Sequence, residues 1–172
     1  LTSEVLGNRT VPATASTWKW EKLRDINFFL QYSSNCTDDR VRFEYEGLAR
    51  FFRAYFYFDK VRYYGDVPWM QKVLGDLDFA IANLPAERQV YRVTRWTALA
   101  LKSRACLFEG TFRKYHGLQG WESYLEVCAD ASKRFIDESG YAIYDSGTTP
   151  YLGLFSSLKA INTEIVLARA YN

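Results

Sequence analysis

The sequence is poor in the residues that most often carry metal or nucleophilic chemistry, because it contains one histidine and one methionine in 172 residues. The histidine, His116, follows a helical stretch in the segment KYHG, where a side chain normally faces solvent. Histidine metal clusters and most base-assisted nucleophiles need a second histidine that this chain does not supply. No GxGxxG or Walker-type loop is present to hold a nucleotide. The sequence therefore predicts no metal, no cofactor and no catalytic residue.

Cysteine is also scarce, and its spacing fits neither a zinc site nor a disulfide framework. Cys36, Cys106 and Cys128 are odd in number and form no CxxC pair. Cys106 and Cys128 fall within apolar helical patterns, which is typical of small buried residues. A Cys106–Cys128 bridge between neighbouring helices stays open as the alternative.

Long apolar runs and clusters of one charge are absent as well. No stretch approaches the ~18 apolar residues of a membrane-spanning helix, and residues 1–17 lack the apolar segment of an export signal. We therefore expect this chain, as written, neither to span a membrane nor to carry its own export signal. The net charge is +2 with acidic and basic residues interspersed, so nucleic acid is not an expected partner.

A glycosidase needs a pair of carboxylates, but the paired aspartates of this sequence are better explained by structural roles. Asp76 and Asp78 lie two positions apart and therefore project from different faces of a helix. Asp38 and Asp39 precede a helix start, where acidic side chains interact favourably with the helix dipole. We predict that these carboxylates are structural and that the protein is not an enzyme.

Aromatic residues are what the chain has in excess, at 17% of its length. The densest stretch is residues 46–69, EGLARFFRAYFYFDKVRYYGDVPW, whose apolar side chains recur at helical spacing and then fill the remaining faces. Such a helix is normally buried among other helices, and Gly65 and Pro68 end it. A chain of 172 residues has the size of one domain with one core. We predict an all-α fold built around this helix.

Hydrophobic periodicity divides the chain into five helices and an irregular C-terminal tail. The predicted helices cover residues 18–32, 39–64, 73–84, 95–115 and 121–138. Thr94 is the predicted N-cap of the fourth helix. Gly147 and Pro150 break the tail, residues 141–172. Its segment IVLARAY at 165–171 could form a strand or a last helix, and its β-branched start favours the strand.

An internal repeat relates the two long helices at an offset of 51 residues, the separation of Leu48 and Leu99. The segment LARFFRA, which begins at Leu48, lies over LALKSRA, which begins at Leu99. The helices that follow agree more weakly, with Ala80 over Ala131. Small residues at fixed positions let helices approach closely, so the repeat predicts two helical hairpins of the tetratricopeptide type, an α–α superhelix. Chance similarity between two alanine-rich helices is the alternative.

These helices, in this order, resemble the SusD/RagB family, the surface glycan-binding lipoproteins of Bacteroidetes. The segments that carry the resemblance are LRDINFFLQ at 23–31, ARFFRAYFYFDKVRYYGDVPW at 49–69, DLDFAIANLP at 76–85, RVTRWTALALKSRACLFEGTF at 92–112, YLGLF at 151–155 and TEIVLARAY at 163–171. Together they cover most of the chain. The family usually has a longer insertion after the GDVP turn than the WMQKVLG segment at 69–75.

The resemblance implies a non-catalytic protein whose tetratricopeptide-like helices serve as a scaffold. It implies that the protein is a lipoprotein on the surface of the outer membrane. Its expected partners are an oligosaccharide or polysaccharide and a TonB-dependent SusC-like transporter, to which the glycan is delivered. Family members are several hundred residues long, so residues 1–172 are expected to form one helical core from a larger protein. Membrane attachment is expected only through a lipid anchor that this chain does not contain.

The best candidate for a sugar-stacking platform is Trp18. Trp18 and Trp20 lie two positions apart, so they cannot both face the core, and Trp20 is expected to face it because it leads to Leu23 and Asn27 on one helix face. An exposed indole can stack on a sugar ring, and Asn8 and Arg9 could form hydrogen bonds with its hydroxyl groups. We therefore predict a carbohydrate site at Trp18, Asn8 and Arg9.

Arg53 and Arg104 recur at matching positions of the repeat. A buried arginine of this kind spreads its stem over apolar rings and pairs its guanidinium with an acid or a carbonyl, so both are predicted to be structural.

The alternative to glycan capture is a helical-repeat scaffold that binds only protein. A helical glycosidase is a more distant alternative.

Overall fold

The computed structural model describes residues 19–64 and 70–170, and within these ranges the chain forms six α-helices and no β-strand. The helices are α1 (Glu21–Tyr32), α2 (Asp39–Tyr64), α3 (Met70–Asn83), α4 (Arg95–Tyr115), α5 (Trp121–Glu138) and α6 (Pro150–Ser156). A short 3-10 helix, Ser33–Asn35, follows α1. None of the helices in these ranges is both long and apolar enough to cross a bilayer. The all-α prediction is confirmed.

The predicted limits of α2, α4 and α5 agree with the structure, whereas the tail differs from its prediction. Pro150 begins the short helix α6, where the missing N–H of proline costs no hydrogen bond. The preference for a strand at 165–171 is wrong, because residues 165–170 are irregular. The N–H of Ala168 donates to the carbonyl of Val90 at 2.7 Å, and no ladder accompanies that single bond within the described residues. A lone strand leaves its backbone groups unpaired and is not stable without a neighbour.

Two helical hairpins stack to form the body of the fold. α2 packs on α3, α4 packs on α5, and α3 joins the pairs by packing on α4. The repeated alanines lie at these contacts: Ala54 and Ala105 are 0% exposed, and Ala80 and Ala131 are 0% and 1% exposed. Matching burial at all four positions confirms the repeat predicted from the sequence.

The main hydrophobic core lies between α2, α3 and α4, with Phe51, Val73 and Leu101 among its buried members. Trp20 packs against it, with its ring centroid 5.4 Å from that of Phe56, so the inward orientation predicted for Trp20 is confirmed. A smaller cluster around Trp96 connects α4 with α5. Trp20, the residue before α1, is thereby packed against the central helix α2.

The starts of α4 and α2 use the caps that the sequence indicates. Thr94 and Thr97 form a capping box at α4, in which the backbone N–H of Thr94 donates to Thr97 Oγ1 at 3.2 Å. Asp38 Oδ1 accepts the backbone N–H groups of Arg40 and Val41 at 3.0 and 3.1 Å. Asp38 is therefore a capping residue, as predicted.

Candidate functional site

A cavity of about 250 Å³ lies between the N-terminal half of α2 and the α3–α4 connection. We call it the tyrosine groove, and its lining residues are Glu44, Tyr45, Leu48, Phe52, Leu84, Tyr91, Arg92 and Val93. Tyr45, Leu48 and Phe52 line it from one face of α2, because they are spaced at i, i+3 and i+7. Its volume is slightly below the range of about 300–1,000 Å³ typical of ligand pockets. An open groove of this size suits a short stretch of a longer ligand.

Tyr91 is positioned by the C-terminal tail. The backbone N–H of Ala160 donates to Tyr91 Oη at 3.2 Å. The neighbouring Val90 carbonyl accepts the N–H of Ala168 at 2.7 Å. Two separate points of the tail therefore hold the α3–α4 connection, and the Tyr91 ring lines the groove while about half of the residue, 51%, stays exposed.

The groove carries one acidic and one basic group at its edge. Arg92 Nη2 lies 3.6 Å from Glu44 Oε1, and the two side chains are 63% and 36% exposed. An exposed ion pair of this kind adds little stability, since water screens it and the long side chains lose entropy. Glu44 can accept and Arg92 can donate hydrogen bonds to a ligand, and their charges cancel.

Exposed aromatic rings make the groove chemically distinctive. Tyr45, Phe52 and Tyr91 are 53%, 45% and 51% exposed. Tyrosine presents an apolar face and a polar edge, so it can contact apolar and hydroxyl-bearing parts of one ligand. With Glu44 and Arg92, the groove offers apolar surface, an acceptor and a donor within one cavity.

A second groove of about 330 Å³ lies between α1 and the start of α2 and shares Tyr45 with the first. We call it the α1 groove, and it is lined by Phe28, Phe29, Tyr32, Ser33, Cys36, Val41, Arg42 and Tyr45. Phe28 is 64% and Tyr32 48% exposed, and their ring centroids lie 4.7 Å apart. This lining is mainly apolar and is typical of a protein contact surface.

The carbohydrate residues predicted from the sequence, Trp18, Asn8 and Arg9, lie outside the described residues. The structure therefore leaves that site as a prediction. The described residues provide a different one, the tyrosine groove, which the sequence analysis missed.

The missed signal is a stripe of exposed apolar side chains along α2. Val41, Tyr45 and Phe52 are 42%, 53% and 45% exposed, although the sequence predicts a helix buried on all faces. That prediction is wrong for this face, because α1, α3 and α4 cover only part of the circumference of α2. Spacing alone marks the stripe as apolar, and only the packing shows that it is uncovered.

The Arg53 prediction is confirmed, and the Arg104 prediction is wrong. Arg53 donates from Nε and Nη2 to the two carboxylate oxygens of Asp76, both at 2.6 Å. Arg53 Nη1 also donates to Asn27 Oδ1 at 3.0 Å. Arg104 is exposed on α4, and the described residues give it no acid or carbonyl partner. The reason is visible in the repeat, since Val127 occupies the position that matches Asp76 and carries no carboxylate.

The histidine and the paired aspartates are each engaged in contacts within the fold. The exposed His116 ring stacks on Phe112 with centroids 4.1 Å apart. Asp76 is 3% exposed beside Arg53, whereas Asp78 is 58% exposed and pairs with Lys102 at 2.6 Å. The different faces predicted for the two aspartates are confirmed. Over the ranges that the structure covers, no three His, Cys, Asp or Glu side chains are arranged to hold a metal.

The cysteines are free thiols in the structure, so the alternative of a Cys106–Cys128 bridge is not realised. Cys106 is 0% exposed, and this burial is the main factor that raises the pKa of its thiol to about 11. We expect iodoacetamide at pH 8 to alkylate the partly exposed Cys36 and to leave Cys106 unmodified until denaturant is added. Mass spectrometry of the tryptic peptides measures this. Alkylation of both at equal rates in the folded protein would contradict the buried position of Cys106.

Comparison with known proteins places the fold. No protein-family model and no curated protein matches the chain. Among solved structures, the chain is similar to a protein crystallised with a xylogluco-oligosaccharide, with a TM-score of 0.61 and 18% sequence identity. The match covers 71% of this chain and 28% of the other, so this chain spans less than a third of that protein. At this identity the likeness establishes a shared helical fold.

Proposed function

We propose that this protein binds an oligosaccharide in the tyrosine groove and performs no chemistry on it. The observation that carries the proposal is the set of exposed rings, Tyr45, Phe52 and Tyr91, lining one cavity beside Glu44 and Arg92. Sugars present apolar C–H faces to aromatic rings and hydroxyl groups to donors and acceptors. The shared fold with a protein crystallised with a xylogluco-oligosaccharide supports the same class of ligand.

The charges of the groove favour a neutral glycan. Glu44 and Arg92 cancel, so an anionic or cationic sugar gains no net attraction. Glu44 is the single carboxylate among the lining residues, whereas a glycosidase needs two flanking the bond that it cleaves. The single carboxylate supports capture of the glycan over hydrolysis at this groove.

In the wider proposal the protein is a SusD-like component of glycan uptake. The helical scaffold holds the glycan near a TonB-dependent SusC-like transporter, on a lipoprotein anchored at the surface of the outer membrane. Six sequence segments in family order support this role, together with the helical fold. The α1 groove, with its apolar lining, supports a protein contact surface for the transporter.

The second candidate function is a scaffold that binds only protein. The α1 groove favours it, since Phe28 and Tyr32 are 64% and 48% exposed in a lining that is mainly apolar. The two functions differ in whether the tyrosine groove responds to sugar.

Calorimetric titration with a xylogluco-oligosaccharide tests the proposal directly, after affinity gels with a polysaccharide panel. Tyr91→Ala removes one platform of the groove, and we expect it to weaken binding about tenfold, which is about 1.4 kcal/mol. Tyr55→Ala is the matched control, because Tyr55 is 52% exposed on α2 but does not line the groove. Its affinity is expected to equal that of the wild type.

Each other outcome selects among the alternatives. Loss of binding in Trp18→Ala with no change in Tyr91→Ala moves the site to the segment preceding α1. No binding of any glycan leaves the protein scaffold as the function. Release of reducing ends from a bound polysaccharide would overturn the non-catalytic part of the proposal.

A further inference from the structure

A third cavity lies between α3, α4 and α5, away from the tyrosine groove. Its volume is about 260 Å³. Its wall is formed partly by charged side chains and partly by the Trp96 indole and aliphatic groups. We call it the arginine cavity, and it is lined by Asp78, Ile81, Ala82, Arg95, Trp96, Leu99, Arg134 and Glu138. No lining residue is shared with the tyrosine groove, so the two cavities can be tested independently.

Arg95 carries a polar group without a partner. Its Nε is buried and has no hydrogen-bond partner among the described residues. A buried donor left without an acceptor is costly, and it is rare in native structures. The Arg95 backbone is fixed, since its N–H donates to the Pro85 carbonyl at 3.0 Å. Arg95 therefore lines the cavity with a guanidinium that no carboxylate of the described residues neutralises.

The charged side chains in and beside the cavity carry a net charge of +1, because three basic groups face two acidic groups. Lys102 Nζ lies 2.6 Å from Asp78 Oδ1, and Arg134 Nε lies 3.6 Å from Glu138 Oε1. These pairs neutralise both acidic residues of the lining, and Arg95 remains. A single carboxylate matches this surplus, and its planar geometry fits a guanidinium. A doubly charged phosphate fits less well, because its second negative charge has no matching positive charge after the two ion pairs are counted.

The acidic side chains still have acceptor capacity for hydroxyl groups. A carboxylate offers about four lone-pair positions, and one ion pair leaves most of them free. Asp78 and Glu138 are 58% and 52% exposed, so a ligand can reach them. Trp96 and Leu99 add apolar wall, and the Trp96 indole is fixed by donating to the Ala86 carbonyl at 2.7 Å. The ligand thus needs one carboxylate, several hydroxyl groups and an apolar face.

We propose that the arginine cavity is a second glycan site, which binds a hexuronic acid residue of an acidic oligosaccharide. The sugar carboxylate pairs with Arg95 and accepts a hydrogen bond from an N–H group of Arg134 that Glu138 does not occupy, and the sugar hydroxyl groups donate to Asp78 and Glu138. The inference goes beyond the neutral-glycan site, because it assigns a second site and a second class of sugar to this chain.

Calorimetric titration with trigalacturonate tests the proposal. We expect Arg95→Gln and Arg134→Gln each to weaken its binding at least tenfold. Arg104→Gln is the matched control, since Arg104 is exposed on the same helix as Arg95 and does not line the cavity. Arg134 lies on the surface of α5 with a side chain 43% exposed, so its variant tests the site even if Arg95→Gln disturbs the start of α4.

Three results would overturn the proposal. Unchanged trigalacturonate affinity in both variants would show that the cavity is not the site. Equal affinity for neutral galactotriose would show that the carboxylate is not recognised, and equal affinity for triglutamate would show that the sugar is not. Binding of the xylogluco-oligosaccharide, measured in the same variants, reports separately on the tyrosine groove and is expected to stay unchanged.

Discussion

Replacing Asp76 by asparagine is expected to destabilise the fold by about 3–5 kcal/mol. Asp76 is 3% exposed and accepts two hydrogen bonds of 2.6 Å from Arg53, whose side chain is 12% exposed. The substitution leaves the Arg53 charge buried without its counter-charge, and that loss exceeds the hydrogen bonding an amide restores. Urea denaturation followed by circular dichroism gives the free energy of unfolding.

Asp78→Asn provides the control on the same helix. Asp78 also pairs at 2.6 Å, with Lys102, but its side chain is 58% exposed. The Asp78 carboxylate already faces water, although the Lys102 side chain is only 15% exposed, so we expect a loss of about 1 kcal/mol, well below that of Asp76→Asn. Equal destabilisation by the two variants would contradict the idea that burial makes the Arg53–Asp76 pair important.

Replacing Gly110 by alanine is expected to cost about 1–3 kcal/mol, even though alanine is the better helix former. A Cβ at this position would lie 2.7 Å from Leu125 Cδ2, 2.8 Å from Leu125 Cγ and 3.2 Å from the Trp121 carbonyl oxygen. These distances are below van der Waals contact, so α4 and α5 must separate or Leu125 must leave its position. Thermal and urea unfolding measure the cost.

Gly75→Ala is the matched control, because Gly75 also lies within a helix but a Cβ there meets nothing within 4 Å. Without a clash, only the helix propensity changes, and we expect a gain of about 0.5–1 kcal/mol. Opposite signs for the two glycine substitutions identify close packing of α4 on α5 as the cause. A gain in both would show that this hairpin tolerates an extra methyl group.

The helical scaffold could be predicted from the sequence because its signals are local or periodic. Thr94 and Asp38 cap helices through neighbours within four residues, and the buried alanines Ala54 and Ala105 recur at one offset. Arg104 shows the limit of the repeat. Its position matches Arg53, but its environment depends on the residue opposite, and Val127 stands where Asp76 would be needed.

The candidate site could not be predicted in the same way, since distant segments create it. Tyr91 lies in a connection between helices, and an N–H group 69 residues further along the chain holds its hydroxyl. No periodicity records that contact. Tyr45 and Phe52 fit a buried helix as well as an exposed one, and the choice depends on what packs against α2. The prediction of a strand at 165–171 failed for a related reason, because a β-strand needs a neighbouring strand for its backbone hydrogen bonds.

The hydrogen bond from Ala160 to Tyr91 has a thermodynamic consequence. Because the tail contributes to the position of a groove residue, detachment of the tail and loss of the binding geometry form one coupled equilibrium. A ligand that prefers the attached state must shift that equilibrium towards it, and the tail must in turn strengthen ligand binding by the same factor. If the tyrosine groove binds the proposed ligand, the irregular C-terminal segment contributes to affinity through Tyr91, and substitutions near Ala160 or Ala168 are expected to change binding.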